Sequence, residues 1–402
     1  MTDQAPIHLP AFTNPPYAIA PAGQLKNIEL LLRTKNNKPV PRGDISLTLP
    51  ASFTYADGGS GQRDFITDDD GRLSVSGVKG ALIAGSYNLS ATSGGGTDNA
   101  TVTVTGWGPV GDIQVGSWPH DIALHPDGTR AYVSNFSSGT VSVIDTVTNE
   151  VLTNITVGKQ PMGVAVSPDG SHAYICNSLN GTISVIDTAT NQVRTDILIG
   201  STASWIRISP VDNLAYASMG FSSAVSVIDM ATNGVQRNIQ VEGRVRNLAV
   251  SPDGSRVYVS NAEKPSVWVI DTATDKVLTR IPLDWPRPDA IAFSPDGTRA
   301  YVCHTYEEAV SVIDTAQNRV LNSIQVEVSP SGVAISPDGT RAFFCGVRQN
   351  TVSVMDTETN LILTSIPVGT SPHGIAITPD GTRAYVCNRH SEIVSAVATA
   401  TI

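Results

Sequence analysis

The chain has 402 residues, 41% of them hydrophobic and only 15% charged, with 34 glycines, 25 prolines and a formal net charge of −10. A chain this long is not expected to fold around one undivided core unless it is built from repeats. The acidic balance gives no electrostatic basis for holding nucleic acid or an anionic membrane, and no apolar run approaches the roughly 20 residues of a membrane-spanning helix.

Residues 1–22 carry Pro10, Pro15, Pro16 and Pro21 and are expected to form an extended lead-in. Met1 to Pro16 has neither a basic n-region nor a long apolar h-region and does not read as a signal peptide. That leaves open the cytoplasm, an export route without such a signal, or a leader already removed.

From about residue 23 to 106 short apolar runs alternate with turns. Leu25, Ile28 and Leu30 to Leu32 suggest a strand, Lys35 to Pro39 a turn, and Ile45, Leu47 and Leu49 a strictly alternating strand. Asp68-Asp69-Asp70-Gly71 makes another turn before Leu73, Val75 and Val78. Gly85 to Ala91 and Thr101 to Thr105 complete about seven short strands, the pattern of a β-sandwich. Lys38-Pro39-Val40-Pro41, Thr67 to Gly71 and Gly85-Ser86-Tyr87 resemble bacterial immunoglobulin-like domains of the invasin and intimin kind, which implies a spacer or adhesive module without chemistry of its own. Asp68, Asp69 and Asp70 offer clustered oxygens for Ca²⁺ and equally suit a solvated acidic turn. Gly106-Trp107-Gly108-Pro109 marks the boundary; it is too short for a flexible tether, and Trp107 is expected to pack at the junction.

The remainder, 107–402, is repetitive. Ser294-Pro295-Asp296-Gly297-Thr298-Arg299-Ala300-Tyr301-Val302 recurs with variations, its prolines being Pro126, Pro168, Pro210, Pro252, Pro295, Pro337 and Pro379, spaced by 42, 42, 42, 43, 42 and 42 residues. Each copy reads as four strands: Val164 to Val166, a Pro-Asp-Gly turn, His172 to Cys176, a loop, Thr182 to Ile186, an Asp-Thr-Ala-Thr-Asn turn, and Gln192 to Ile199. Four strands every 42 residues is the signature of a β-propeller blade. Tyr132-Val133-Ser134-Asn135, Tyr174-Ile175-Cys176-Asn177, Tyr258-Val259-Ser260-Asn261 and Tyr385-Val386-Cys387-Asn388, with Val-Ile-Asp-Thr at 143–146, 185–188, 269–272 and 312–315, resemble the propellers named for the Tyr-Val-Thr-Asn motif. That resemblance implies a bacterial or archaeal surface or secreted protein. Copy three departs from it, with Pro210-Val211-Asp212-Asn213 at the turn and Met219 in place of Asn.

Ring closure follows from counting. Six copies end strand c with an Asp; the seventh has Ala398 there, and no strand d follows. Gly111 to Gly116 precedes the first strand a and matches the ends of other strands d, so 111–116 is expected to complete the last of seven blades and leave no free edge at the seam. The fold class expected is therefore all-β, a sandwich followed by a closed seven-bladed propeller. Cys176, Cys303, Cys345 and Cys387 share one repeat position and are expected to be buried free thiols.

Function is sought where the copies differ. The Pro-Asp-Gly and Asp-Thr-Ala-Thr-Asn turns barely vary and lie on one face, whereas the d–a and b–c loops on the opposite face do vary. The first residue after the usual proline of strand a is His120, Met162, Ser204, Arg246, Asp289, Ser331 or His373; the next is Asp121, Gly163, Trp205, Asn247, Ala290, Gly332 or Gly374. Trp118, Arg244, Trp285 and Arg287 flank them. The b–c loops add Asn135, Phe136, Asn177, Phe221, His304, Tyr306, Arg389 and His390. Three readings stand open: a metal site from His120, Asp121 and His373 with Asp289 or His304; a pocket for an anionic or sugar-like ligand with Arg244, Arg246 and Arg287 as donors and tryptophans as platforms; or ordinary loop and channel filling, with Asp289, Glu307 and Glu308 neutralising the arginines. No nucleophile elbow, His-Glu-x-x-His, phosphate loop, Cys-x-x-Cys or haem motif is present. The expectation is accordingly a binding module without cofactor, recognising a protein or glycan through the varied face. The alternative is a hydrolase or lyase acting on a lactone or sugar acid, with His120, Asp121, His373 and Arg246 at the channel mouth.

Overall fold

The computed structural model describes residues 8–12, 17–19, 28–34, 40, 44–49, 61–70, 72–75, 85–93, 96–104, 108–220, 222–261, 263–326 and 328–399. Trp107 and Phe221 lie outside the described residues. Every regular element among those described is a β-strand. The chain divides into two compact units, Met1–Gly108 with Ala398–Ile402, and Pro109–Val397.

The first unit holds two sheets. Strands β1 (His8–Phe12), β3 (Ile28–Thr34) and β6 (Arg72–Val75) form one, in the order β1-β3-β6. The other runs β2 (Tyr17–Ile19), β8 (Gly96–Val104), β7 (Gly85–Ser93), β4 (Asp44–Thr48), β5 (Gln62–Ile66). The alternation Ile45, Leu47, Leu49 puts all three side chains on the buried side, with Leu30 and Val75 also buried. The segment expected as an extended lead-in instead supplies β1 and β2. Both are edge strands, where prolines such as Pro10 cost no interior ladder bond. At the acidic turn, Asp68 Oδ1 accepts the backbone N–H groups of Asp70 (2.9 Å) and Arg72 (2.8 Å), so this carboxylate closes a local turn.

The second unit is a seven-bladed propeller. Six four-stranded antiparallel sheets follow one another in strict chain order. The seventh, Pro372–Ile377, Arg383–Asn388 and Ile393–Ala398, takes its outer strand from β9 (Gly108–Gln114). The hairpin turns show why the repeat sequence folds this way. Glycine in each Pro-Asp-Gly turn sits near φ +70°, as at Gly128, Gly170 and Gly297, and the aspartate accepts the N–H two residues on, as Asp296 does from Thr298 (3.0 Å). In the c–d turns Asn149, Asn191, Asn318 and Asn360 take the left-handed conformation that asparagine tolerates. The next Thr hydroxyl ties the two turns of a blade together: Thr315 donates to Gly297 O (2.6 Å) and Thr272 to Gly254 O (2.8 Å).

Blades one, two and seven are pinned across their strands by a buried polar ladder. Asn135 donates to Ser142 (2.8 Å), which donates to Asn154 (2.6 Å); Asn177, Ser184 and Asp196 repeat the pattern. In blade seven Asn388 reaches Ser395 (3.0 Å), and Ser395 donates to Asp112 of β9 (2.7 Å). A strand from the start of the unit thus carries the residue that strands d carry elsewhere. The seam is tied a second time when Arg383 donates to Thr146 O (2.6 Å) and the Tyr385 hydroxyl to the same carbonyl (3.0 Å). Between blades, the tyrosine-valine strands pack as continuous apolar clusters, with Tyr132, Tyr174, Tyr216, Tyr258, Tyr301 and Tyr385 almost fully buried.

Deleting 108–114 should leave blade seven three-stranded and lower the melting temperature steeply, by the equivalent of at least about 4 kcal/mol. Asp112→Ala, which leaves Ser395 without its acceptor, should cost about 1–3 kcal/mol. Denaturant unfolding monitored by tryptophan fluorescence measures both, and wild-type stability in the deletion would refute the closure.

Candidate functional site

Strands a line the central channel, and space there is short. A Cβ on Gly332 would lie 1.9 Å from His373 O; on Gly374 it would lie 2.7 Å from Asp121 Cα, and on Gly163 2.7 Å from Trp205 Cα. Neighbouring inner strands therefore approach closely enough that only glycine fits at those positions, and the freed space receives Asp121 and Trp205 of the next blade. Where the residue is Asp121, Trp205 or Asn247, its backbone N–H is received by a serine hydroxyl of strand b: Ser134 (3.1 Å), Ser218 (3.0 Å) and Ser260 (2.9 Å). The blades with Gly163, Ala290, Gly332 and Gly374 carry Cys176, Cys303, Cys345 and Cys387 at that strand-b position. All four thiols are free and buried, and burial pushes them up, so they serve as small apolar fillers.

At the mouth of this channel lies a cavity of about 450 Å³. Of the residues named above, it gathers His120, Met162, Ser204, Trp205, Arg244, Arg246, Arg287, Asp289, Tyr306, His373 and Arg389, and it adds Thr305. Asp289 is buried and accepts from Arg246 Nη2 (2.6 Å) and Thr305 Oγ1 (3.1 Å). Arg389 donates to His120 Nε2 (2.5 Å), leaving His120 Nδ1 with no protein partner. His373 hydrogen-bonds the His120 backbone and also leaves Nδ1 unpartnered. The His120 and His373 rings lie 4.7 Å apart, and Trp205 stacks on His373 at 5.8 Å. Arg244 Nε donates to Gly220 O (2.7 Å). Tyr306, with φ 82°, is half exposed between the guanidinium groups of Arg287 (5.3 Å) and Arg348 (5.0 Å).

Burial, and then the guanidinium of Arg389, hold both histidines well below the usual imidazole range, so both are neutral at neutral pH. Burial lowers Arg389 to about 10, which still leaves it charged. Asp289 holds Arg246 in its charged form. The cavity therefore sets four guanidinium groups against one carboxylate in a protein of strongly acidic balance.

The other described sequence candidates lie outside this lining. Asp121 is buried beside the cavity, but its Oδ2 accepts from Val164 N (3.0 Å) and faces Arg207 at 3.6 Å, bridging blades one, two and three; burial raises it. It is not joined to His120 and His373 as a metal or catalytic trio, and among the described residues no group of three or more His, Cys, Asp or Glu is arranged to hold a metal. His304 occupies the place of the ladder asparagine: its Nε2 pairs with Ser311 Oγ (2.8 Å) and its Nδ1 with Pro286 O (3.0 Å), so it is scaffold. Asn135 and Asn177 are ladder residues too. Asn247 folds its Oδ1 onto Leu248 N (2.7 Å) and is buried. Trp285 is part-buried away from the cavity lining. Trp118, at φ 60° and 37% exposed, forms an aromatic group with Phe136 (5.0 Å) and His390 (5.9 Å) on the rim. Thr305 was invisible as a candidate; its only sequence signal is that it follows the strand-b terminus, where the loop turns toward the channel.

A family model described as "Lactonase, 7-bladed beta-propeller" matches residues 67–288, more than half of the chain. The chain belongs to this family. Its model covers the end of the first unit and blades one to four, including His120, Trp205, Arg244, Arg246 and Arg287, and ends before Asp289, His373 and Arg389. No curated protein matches the chain. Among solved structures, Kuenenia stuttgartiensis hydrazine synthase is similar at 24% identity and a TM-score of 0.65, over 70% of this chain and 95% of that one; the likeness is one of fold.

The two neutral histidines make stability depend on pH. The unfolded chain binds their protons near pH 6.5 and the folded chain does not, so stability falls as pH drops below that value, by up to about 1.4 kcal/mol per pH unit per histidine. Unfolding measured from pH 7 to 5 should show this slope, and it should be shallower in His120→Gln; identical slopes would refute the assignment.

Proposed function

We propose that the channel-mouth cavity binds a small carboxylate-bearing, sugar-acid-like molecule and opens a lactone of that class. The observation that carries this reading is the neutral imidazole of His373, its Nδ1 without a partner, set among Arg246, Arg389 and Arg287 in one concave cavity. Its volume of about 450 Å³ suits a small ligand rather than a protein surface, and the family description supports lactone chemistry. In this reading the guanidinium groups hold the carboxylate and stabilise the oxyanion. His373 takes a proton from water as its oxygen attacks the lactone carbonyl, the ring C–O bond breaks, and the leaving alkoxide takes that proton to give the hydroxy acid.

A second reading, non-enzymatic recognition of a glycan or protein, is favoured by the rim aromatics Trp118 and Tyr306, which are 37% and 49% exposed. The two sheets of the first unit support an immunoglobulin-like sandwich with a positioning role, and the Asn–Ser ladders support kinship with Tyr-Val-Thr-Asn propellers.

Turnover of a panel of aldonolactones decides between the readings. His373→Gln should lower kcat at least about 100-fold with little change in product binding, and Arg246→Ala should weaken sugar-acid binding about tenfold or more. Sugar-acid binding without turnover would leave the recognition reading; equal rates in wild type and His373→Gln would refute the assigned base.

A further inference from the structure

On the face opposite the cavity, neighbouring blades meet in grooves between their Pro-Asp-Gly turns. In three of these an arginine at the start of strand b crosses to the backbone carbonyl after the next blade's strand c. Arg130 donates to Thr188 O, Arg299 to Thr357 O and Arg383 to Thr146 O, each at 2.6 Å. Between blades three and four the crossing group is Arg237, which donates to Asp275 Oδ1 (2.9 Å). Arg256 and Arg341 instead turn back to Asp271 and Asp356 of their own blades, both at 2.7 Å.

The groove between blades two and three breaks this pattern on both sides. Blade two carries His172 where those arginines stand, and His172 does not cross: its Nδ1 pairs with Ser171 Oγ (2.7 Å) and its Nε2 with Arg194 (3.0 Å), and both His172 and Arg194 line the groove. Blade three changes both turns: Asp212 stands for the glycine, and Met230 for the threonine, so the hydroxyl donor of the tie is absent although the backbone carbonyl that would accept it remains. Gly128, Gly297 and Gly339 face the preceding blade's proline, Pro379, Pro252 and Pro295 respectively. The groove between blades two and three measures about 740 Å³ against about 570 and 550 Å³ for the grooves of blades seven/one and four/five.

Apart from Arg194, which His172 holds, the lining of the groove is acceptor-rich. Asp169 is held at about 2 by hydrogen bonds from Ser167 and Ser171, so it is ionised, and Asp212 lies across from it. Tyr174, whose counterparts Tyr132, Tyr301 and Tyr385 have an arginine beside the hydroxyl, has none from its own blade. Asn233 Oδ1 is buried without a partner.

We propose that the groove between blades two and three is a second ligand site, which takes an external guanidinium group in the place that Arg130, Arg299 and Arg383 fill in three other grooves. The recess left by the missing side chain, the two carboxylates and the acidic balance of the chain all favour a planar cation. The site is separate from the channel mouth and does not rest on the lactonase reading.

Isothermal titration of the full chain with N-acetyl-arginine amide tests it, with the citrulline counterpart as the uncharged control of the same shape. Saturable binding is expected, with the citrulline probe at least about tenfold weaker. His172→Arg should supply the guanidinium internally, reach the Met230 carbonyl and weaken the probe at least about tenfold, with the melting temperature unchanged or raised. Asp212→Asn should weaken it several-fold and serves as the independent variant should His172→Arg fail to fold. Agmatine is the second arm: tighter binding of the blocked arginine assigns the site to a polypeptide arginine, tighter binding of agmatine to a free guanidino compound. No saturation up to about 10 mM, equal binding of the citrulline probe, or undiminished binding by the folded variants would overturn the proposal.

Discussion

Crowding around the central channel governs the propeller. Seven sheets converge on an axis where adjacent inner strands come within one Cβ of each other, as the positions of Gly163, Gly332 and Gly374 require. A side chain larger than alanine can stand at this level only where the preceding blade gives way or the strand shifts. Asp121 and Trp205 each follow a glycine blade, and each of the three large residues has a serine hydroxyl behind it to receive its N–H. The cavity exists because this constraint is met unevenly: glycine blades yield space, and Trp205, His120 and His373 fill one side of it as a stack of rings.

The same constraint accounts for the electrostatics. Close packing removes water from the histidines, and an arginine donating to His120 adds to the cost of charging them. Neutral imidazoles beside charged guanidinium groups form a combination that water would not sustain at lower pH, and packing makes it stable at neutral pH. Asp289 shows the complementary case. Its carboxylate stays buried because Arg246 and Thr305 both donate to it, and truncating either donor leaves the other bond to hold a buried charge.

Much of the fold was legible in the sequence because repeats impose one demand seven times. The 42-residue period, the four strands and the missing strand d are statements about chain order, and chain order decides sheet order here. The site was legible only in part, because a sequence gives a residue's place within its blade and not what faces it across the channel. Arg389 meets His120 from 269 positions away. His304 looked like a ligand by chemistry, but it stands at the ladder position, where its imidazole reaches the ladder serine as the asparagine amide does in other blades. Had the candidates been aligned by their strand-b position, Ser against Cys would have separated Asp121, Trp205 and Asn247 from the glycine blades, and His304 would have fallen in line with Asn135 and Asn388.

A repeat protein departs from its own consensus either singly or in linked groups, and the two carry different weight. Met219 for asparagine alters one ladder and leaves the blade intact. In the groove of blades two and three, three departures coincide: His172 for arginine, Asp212 for glycine and Met230 for threonine. The first removes a donor that would cross the groove, Met230 removes the hydroxyl that ties the two turns of blade three together, and Asp212 replaces the glycine of the turn facing it. Drift at independent positions has no reason to converge on one groove from two blades. The loss of a stabilising tie worth about 1 kcal/mol is also a cost that a bare scaffold would have no reason to bear. The channel mouth and this groove thus follow one rule: where the propeller relaxes its repeat on neighbouring blades together, it leaves a recess lined with polar groups whose partners the chain does not supply.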